Sequence, residues 1–108
     1  MRAVVQRVLH AQVVVDGGVR AEIDRGLFVL LGLGIGDDAD DLDWIVGKIQ
    51  RLRVFDDDAG QMNLSVAQIG GSLCVVSQFT LLGDVRRGNR PSYASAMPIE
   101  AARAFWPR

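Results

Sequence analysis

The sequence predicts an α+β domain: a curved antiparallel β-sheet or barrel-like core carrying two helices. Three observations point there. Residues 4–15 and 19–23 read as strands joined at Asp16-Gly17-Gly18, whose Asp-Gly and Gly-Gly steps supply the positive φ values of a tight hairpin. Leu42, Ile45, Val46, Ile49 and Leu52 recur at helical spacing and give one apolar face. Leu73-Cys74-Val75-Val76 is a short apolar run preceded by Gly70-Gly71, the pattern of a buried strand.

Taken in order, the first hairpin is followed by a turn at Arg25-Gly26 and a strand over residues 27–33. These segments predict a meander of neighbouring antiparallel strands rather than a βαβ unit. A helix is expected over residues 41–53. Asp37, Asp38 and Asp40 at its start cap free N–H groups, and Arg51 and Arg53 at its end suit the opposite pole. A turn over residues 56–60, a short amphipathic piece over 64–69 and a turn at Gly70-Gly71 lead to a central strand over 72–80. A second helix is expected over residues 98–106, with Pro98 near its N-terminus and Glu100 in its first turn.

The chain has 108 residues, 49% of them hydrophobic, so one folded domain covering residues 1–108 is expected and disorder is not. No apolar run reaches membrane-spanning length, which predicts a cytoplasmic protein without membrane partners. Cys74 is the single cysteine and sits in an apolar strand, as a small core residue would. The net charge of −1 argues against broad, nonspecific nucleic-acid binding and against a DNA partner. It leaves room for a local basic patch, and Arg86, Arg87 and Arg90 form one within five residues.

Several motifs resemble chemistry and fail on spacing. Gly32-Leu33-Gly34-Ile35-Gly36 lacks the Gly-x-Gly-x-x-Gly spacing, and the carboxylates of Asp37 and Asp38 would repel a pyrophosphate. Asp56-Asp57-Asp58-Ala59-Gly60 does not place the ligands of a calcium loop. One histidine, His10, and one cysteine leave no zinc site of the usual ligands, and no nucleophile for a triad stands near His10 in sequence. No metal and no cofactor are expected.

The chemistry that remains lies where the strand over 72–80 emerges. Ser77, Gln78, Phe79 and Thr80 place two hydroxyls, an amide and backbone N–H groups together, with the basic, turn-prone Arg86-Arg87-Gly88-Asn89-Arg90-Pro91-Ser92 just downstream. Such a set can stabilise an oxyanion, a contribution of roughly 3 kcal/mol for one good donor. It suits an activated ester better than an amide, on a polar, anionic substrate.

The sequence resembles the D-aminoacyl-tRNA deacylase (D-tyrosyl-tRNA deacylase) family. Ser77-Gln78-Phe79-Thr80-Leu81 carries the resemblance, together with Met1-Arg2-Ala3-Val4-Val5-Gln6-Arg7-Val8, Gly26-Leu27-Phe28-Val29-Leu30-Leu31-Gly32 and Arg53-Val54-Phe55. Gly60-Gln61-Met62-Asn63-Leu64, Gly70-Gly71-Ser72 and Arg90-Pro91-Ser92 extend it along the whole chain. The resemblance implies hydrolysis of the ester joining a D-amino acid, or glycine, to the terminal adenosine of tRNA, by a homodimer. It implies Thr80 and Gln78 as the catalytic pair, with Thr80 positioning substrate because nothing nearby would deprotonate it. Ser77, Phe79, Met62 and Arg7 would contact substrate, Met62 lining an adenosine pocket and Arg7 supporting a cross-subunit Gly-Pro loop. Arg86, Arg87 and Arg90 would hold the tRNA. Members of that family continue past the position of Arg108 with an Asn-x-Gly-Pro-Val-Thr segment, so a C-terminally truncated domain is expected. The alternative is a non-catalytic paralogue that binds the tRNA end or pairs with a full-length subunit.

Overall fold

Residues 1–98 are described in the computed structural model. They form strands β1 (Arg2–Val8), β2 (Ala11–Val15), β3 (Gly18–Ile23) and β4 (Gly26–Gly32), then helix α1 (Ala39–Arg51). Strands β5 (Phe55–Asp56), β6 (Met62–Leu64) and β7 (Ser72–Ser77) follow, and a 3-10 helix spans Phe79–Leu82. The class is α+β. The helix expected over residues 98–106 falls outside the described residues but for Pro98.

Strand order departs from the expected meander. The main sheet runs β1-β4-β7, with β1 and β4 antiparallel but β4 and β7 parallel. Parallel neighbours need a long crossover, and here α1 and the β5–β6 hairpin supply it, so a β-α-β connection is present after all. The central strand is β4 rather than β7. Leu27 and Val29 of β4 are wholly buried and Leu31 nearly so, which explains why this segment reads as an unbroken apolar run. Meanwhile, among the described residues, β2 and β3 pair only with each other, as do β5 and β6.

The long first strand is interrupted at Leu9-His10, where the chain bends between β1 and β2. The hairpin turn lies where it was expected: Asp16 and Gly17 both take positive φ, 53° and 78°. Helix α1 begins two residues earlier than its apolar pattern suggested. Its start is fixed by Asp38, whose carboxylate accepts from Asp41 N–H at 2.9 Å while Asp41 accepts from Asp38 N–H at 3.0 Å. Asp37 serves the preceding loop instead, accepting from Gly34 N–H at 2.6 Å.

Leu42 and Ile49 of α1 are buried against β4, joined by Ile45, Phe55 and Val66 in the core. Val46, placed on the same face by its spacing, stays exposed.

Candidate functional site at the end of β7

The strand β7 stops at Ser77, three residues short of the expected boundary. The β4–β7 ladder ends at Leu31, which pairs with Ser77. Gln78 N–H makes one last bond to Leu31 O at 2.8 Å, and the chain then curls into the 3-10 helix. Gln78 occupies the N-cap with its side chain making no capping bond. Thr80 is therefore a helical residue rather than a strand threonine. Ser77, Phe79 and Thr80 are exposed and Gln78 half-buried, so the four polar or aromatic groups cluster at one accessible place. The first N–H groups of a helix have no partner within it. Among the described residues, those of Phe79 and Thr80 meet no acceptor.

Three further contacts hold this element. Arg2 Nη1 donates to Leu81 O at 3.0 Å. Phe79 packs edge-on against Tyr93, with ring centroids 5.2 Å apart. A Cβ on Gly32 would lie 2.6 Å from Leu82 Cδ2 and 2.9 Å from Gln78 O, so only glycine lets the helix pack this close to β4. Arg2 and Tyr93 were not singled out from the sequence. Arg2 alternates on a strand like a solvent-facing residue, and Tyr93 has no motif around it that marks a partner.

The basic segment is a small hairpin. Asp84 and Ser92 exchange two backbone bonds, each 2.7 Å, and Arg86, Arg87 and Arg90 lie exposed between them. Arg86 is tied down: its guanidinium reaches Asp84 Oδ2 at 2.7 Å and Oδ1 at 3.0 Å, and its own N–H adds a bond at 2.9 Å. These donors hold the Asp84 carboxyl down to about 2, from an ordinary 3.8, and raise the Arg86 guanidinium. Since the folded value is the lower one, this pairing contributes above about pH 4 and is lost as pH falls toward 2. An NMR titration should place the Asp84 midpoint near 2 and return it toward 3.8 in Arg86→Ala. A wild-type midpoint near 3.8 would mean that the pair does not form in solution.

Arg7 and Met62 stand elsewhere. Arg7 pairs with Leu27, which pairs with Leu73, four register steps from Ser77. At ~3.3 Å per residue this is about 13 Å along the sheet. Arg7 Nη1 donates to Val54 O at 2.9 Å and lies 3.5 Å from Asp56. With Met62, Val5, Gln6 and Val54 it lines a cleft of about 400 Å³. Met62 is 64% exposed rather than packed in the core. His10 lies beyond the Arg7 end of β1, 3.5 Å from Glu22 and Asp24, and takes no part at Thr80. Asp57 closes the β5–β6 turn by accepting from Gln61, Ala59 and Asn63, and those bonds lower its carboxyl. Among the described residues, no three His, Cys, Asp or Glu side chains gather to hold a metal. No described helix is long and apolar enough to cross a membrane.

A family model described as D-Tyr-tRNA(Tyr) deacylase matches residues 4–108. The chain belongs to the D-Tyr-tRNA(Tyr) deacylase family. A D-aminoacyl-tRNA deacylase of Anaeromyxobacter dehalogenans is 56% identical over 106 residues, covering 98% of this chain and 71% of that protein. One of Kosmotoga olearia is 53% identical over 108 residues, covering 100% and 73%. Among solved structures, one described as a c-Myc DNA unwinding element binding protein superposes with a TM-score of 0.91 at 44% identity. It is matched over 98% of this chain and 71% of its own. In this deacylase-family chain, Ser77-Gln78-Phe79-Thr80 thus lies on an exposed corner between a strand and a 3-10 helix.

Proposed function

We propose that the chain hydrolyses the ester between a D-amino acid, or glycine, and the 3′-terminal adenosine of tRNA, as a cytoplasmic proofreading enzyme. The observation that carries this reading is the accessible Gln78-Phe79-Thr80 corner, whose Phe79 and Thr80 N–H groups meet no acceptor among the described residues, in a chain of the deacylase family. Those N–H groups receive the ester carbonyl oxygen as negative charge develops on it. Water adds to the carbonyl carbon, the ester C–O bond breaks, and the proton from water goes to the departing ribose oxygen. The neighbouring ribose hydroxyl stands next to that oxygen and assists. Thr80 and Gln78 orient the aminoacyl group, and Ser77 and Phe79 flank it.

The separation of Arg7 and Met62 from Thr80 supports a homodimeric site. One protomer's Arg7–Met62 end serves substrate held at its partner's Thr80 corner. The exposed Arg87 and Arg90 contact the tRNA backbone, with Arg86 stiffening their hairpin through Asp84.

Release of D-tyrosine from D-tyrosyl-tRNA, set against L-tyrosyl-tRNA, tests the activity. Thr80→Ala and Gln78→Ala should each lower kcat/KM about tenfold, the scale of one lost positioning hydrogen bond. Wild-type rates in both would leave the reaction to backbone and RNA groups alone. A protein that binds tRNA without releasing D-tyrosine would be the non-catalytic paralogue. Preference for duplex DNA over tRNA would move it toward the neighbour named for a DNA element.

A further inference from the structure

A cleft of about 320 Å³ adjoins the 3-10 helix, with Leu82 and Val85 as its apolar lining. Arg2, Gly83, Asp84, Arg86 and Ser95 line it. Two guanidiniums against one carboxylate leave it net positive. Arg86 is spent largely on Asp84, but among the described residues Arg2 gives a single bond, from Nη1 to Leu81 O at 3.0 Å. A guanidinium has five N–H donors, so most of Arg2's capacity meets no acceptor among the described residues. Arg2's charge also acts on Asp84 across the cleft. The carbonyl that Arg2 holds belongs to the residue after Thr80. At ~2 Å rise per residue in a 3-10 helix, the cleft lies within a turn of the reactive corner.

We propose that this cleft binds a phosphodiester of the RNA acceptor end, with Arg2 as the contacting cation. The inference rests on the deacylase reading, because it takes the substrate's ester to sit at Thr80. A nucleotide whose 3′ side carries that ester has its next phosphodiester on the 5′ side, one nucleoside away. A single anionic diester matches a cleft with one surplus positive charge, and a guanidinium fork suits two phosphate oxygens. Arg2 thereby does two things: it fixes the 3-10 helix through Leu81 and registers the RNA against it.

Two substrates with the same ester separate these roles: D-tyrosyl-tRNA and 3′-O-D-tyrosyladenosine, which has no phosphodiester. In Arg2→Gln the ratio of kcat/KM for tRNA to that for the nucleoside ester should fall about tenfold, through KM. The salt slope of tRNA KM should flatten by about 0.7, the value for one phosphate contact on a single strand. Arg2→Lys should restore the slope. Ser95→Asp, which puts a carboxylate in the same cleft, should lower the ratio without touching Arg2. An equal loss on both substrates, with ratio and slope unchanged, would overturn the proposal and leave Arg2 as a helix clamp. Binding of a fluorescent RNA hairpin with a single-stranded 3′ end reads the same slope without turnover. If wild type cleaves neither ester, the deacylase reading fails. The binding slope in Arg2→Gln then still decides the cleft: flattened supports it, unchanged overturns it.

Discussion

Gly32→Ala is expected to lower kcat/KM for D-tyrosyl-tRNA by about a hundredfold, more than removing the Thr80 hydroxyl. Gly32 ends β4 and never touches substrate in this reading. Its missing Cβ is where the 3-10 helix rests: the added methyl would meet Leu82 Cδ2 at 2.6 Å, Gln78 O at 2.9 Å and Leu81 Cβ at 3.1 Å. Leu82 can turn aside in part, but the Gln78 carbonyl belongs to the backbone that sets up Phe79 and Thr80. Relief therefore lifts the helix as a unit. A displacement near 1 Å is enough to cost about 10²-fold where N–H groups must meet a developing charge. Overpacking should also cost about 1–3 kcal/mol of stability. Paired urea melts and single-turnover rates read the two effects apart. A folded Gly32→Ala protein with full activity would show that the corner does not depend on its distance from β4.

Most of the local structure can be read from the sequence, and most of the long-range structure cannot. Asp16-Gly17 marks the first hairpin because its backbone needs positive φ, a property of residue type. The helix is legible from its apolar spacing, and its start can be corrected by the Asp38–Asp41 pair. Strand pairing was misread because β1 finds β4 across an intervening hairpin, and β7 joins β4 in parallel across a helix. A buried strand's composition records burial on both faces, not the direction of its neighbour. Ser77, Gln78, Phe79 and Thr80 were legible as a cluster, and the fold keeps them together at one exposed corner. Arg2 and Tyr93 were not, because each acts on that corner from a distant segment: Arg2 from 79 residues away and Tyr93 through a ring contact. Glycines divide the same way. Gly17 is explained by its own φ, whereas Gly26 and Gly32 are explained only by what lies across from them.

The largest stability loss should come from Gly26→Ala. Arg25-Gly26 reads as a turn, yet the bend falls at Asp24-Arg25 and Gly26 is already the first residue of β4, between Val8 of β1 and Ser72 of β7. Its φ is not positive, so alanine is not excluded by backbone conformation. The obstacle is Ser72: an added Cβ would press into its carbonyl oxygen and lie 2.8 Å from both its carbonyl carbon and its nitrogen. All three are main-chain atoms that no rotamer change can move. The start of β7 must shift from β4, and the Ser72 N–H bond to Arg25 O goes with it. Alanine recovers about 0.5–1 kcal/mol of strand preference over glycine, too little to offset the clash. A net loss of about 3 kcal/mol is expected, a large share of the ~5–15 kcal/mol that holds a domain of this size. Melting should drop by about 10 °C or more. Gly18→Ala is the control, since its Cβ would meet only Val15 O, at 3.6 Å, and it should stay within about 0.5 kcal/mol of wild type. If the two variants melt alike, β4 and β7 are not in contact at Gly26 and Ser72. The parallel pairing that places Gln78 beside Leu31 would then have to be redrawn.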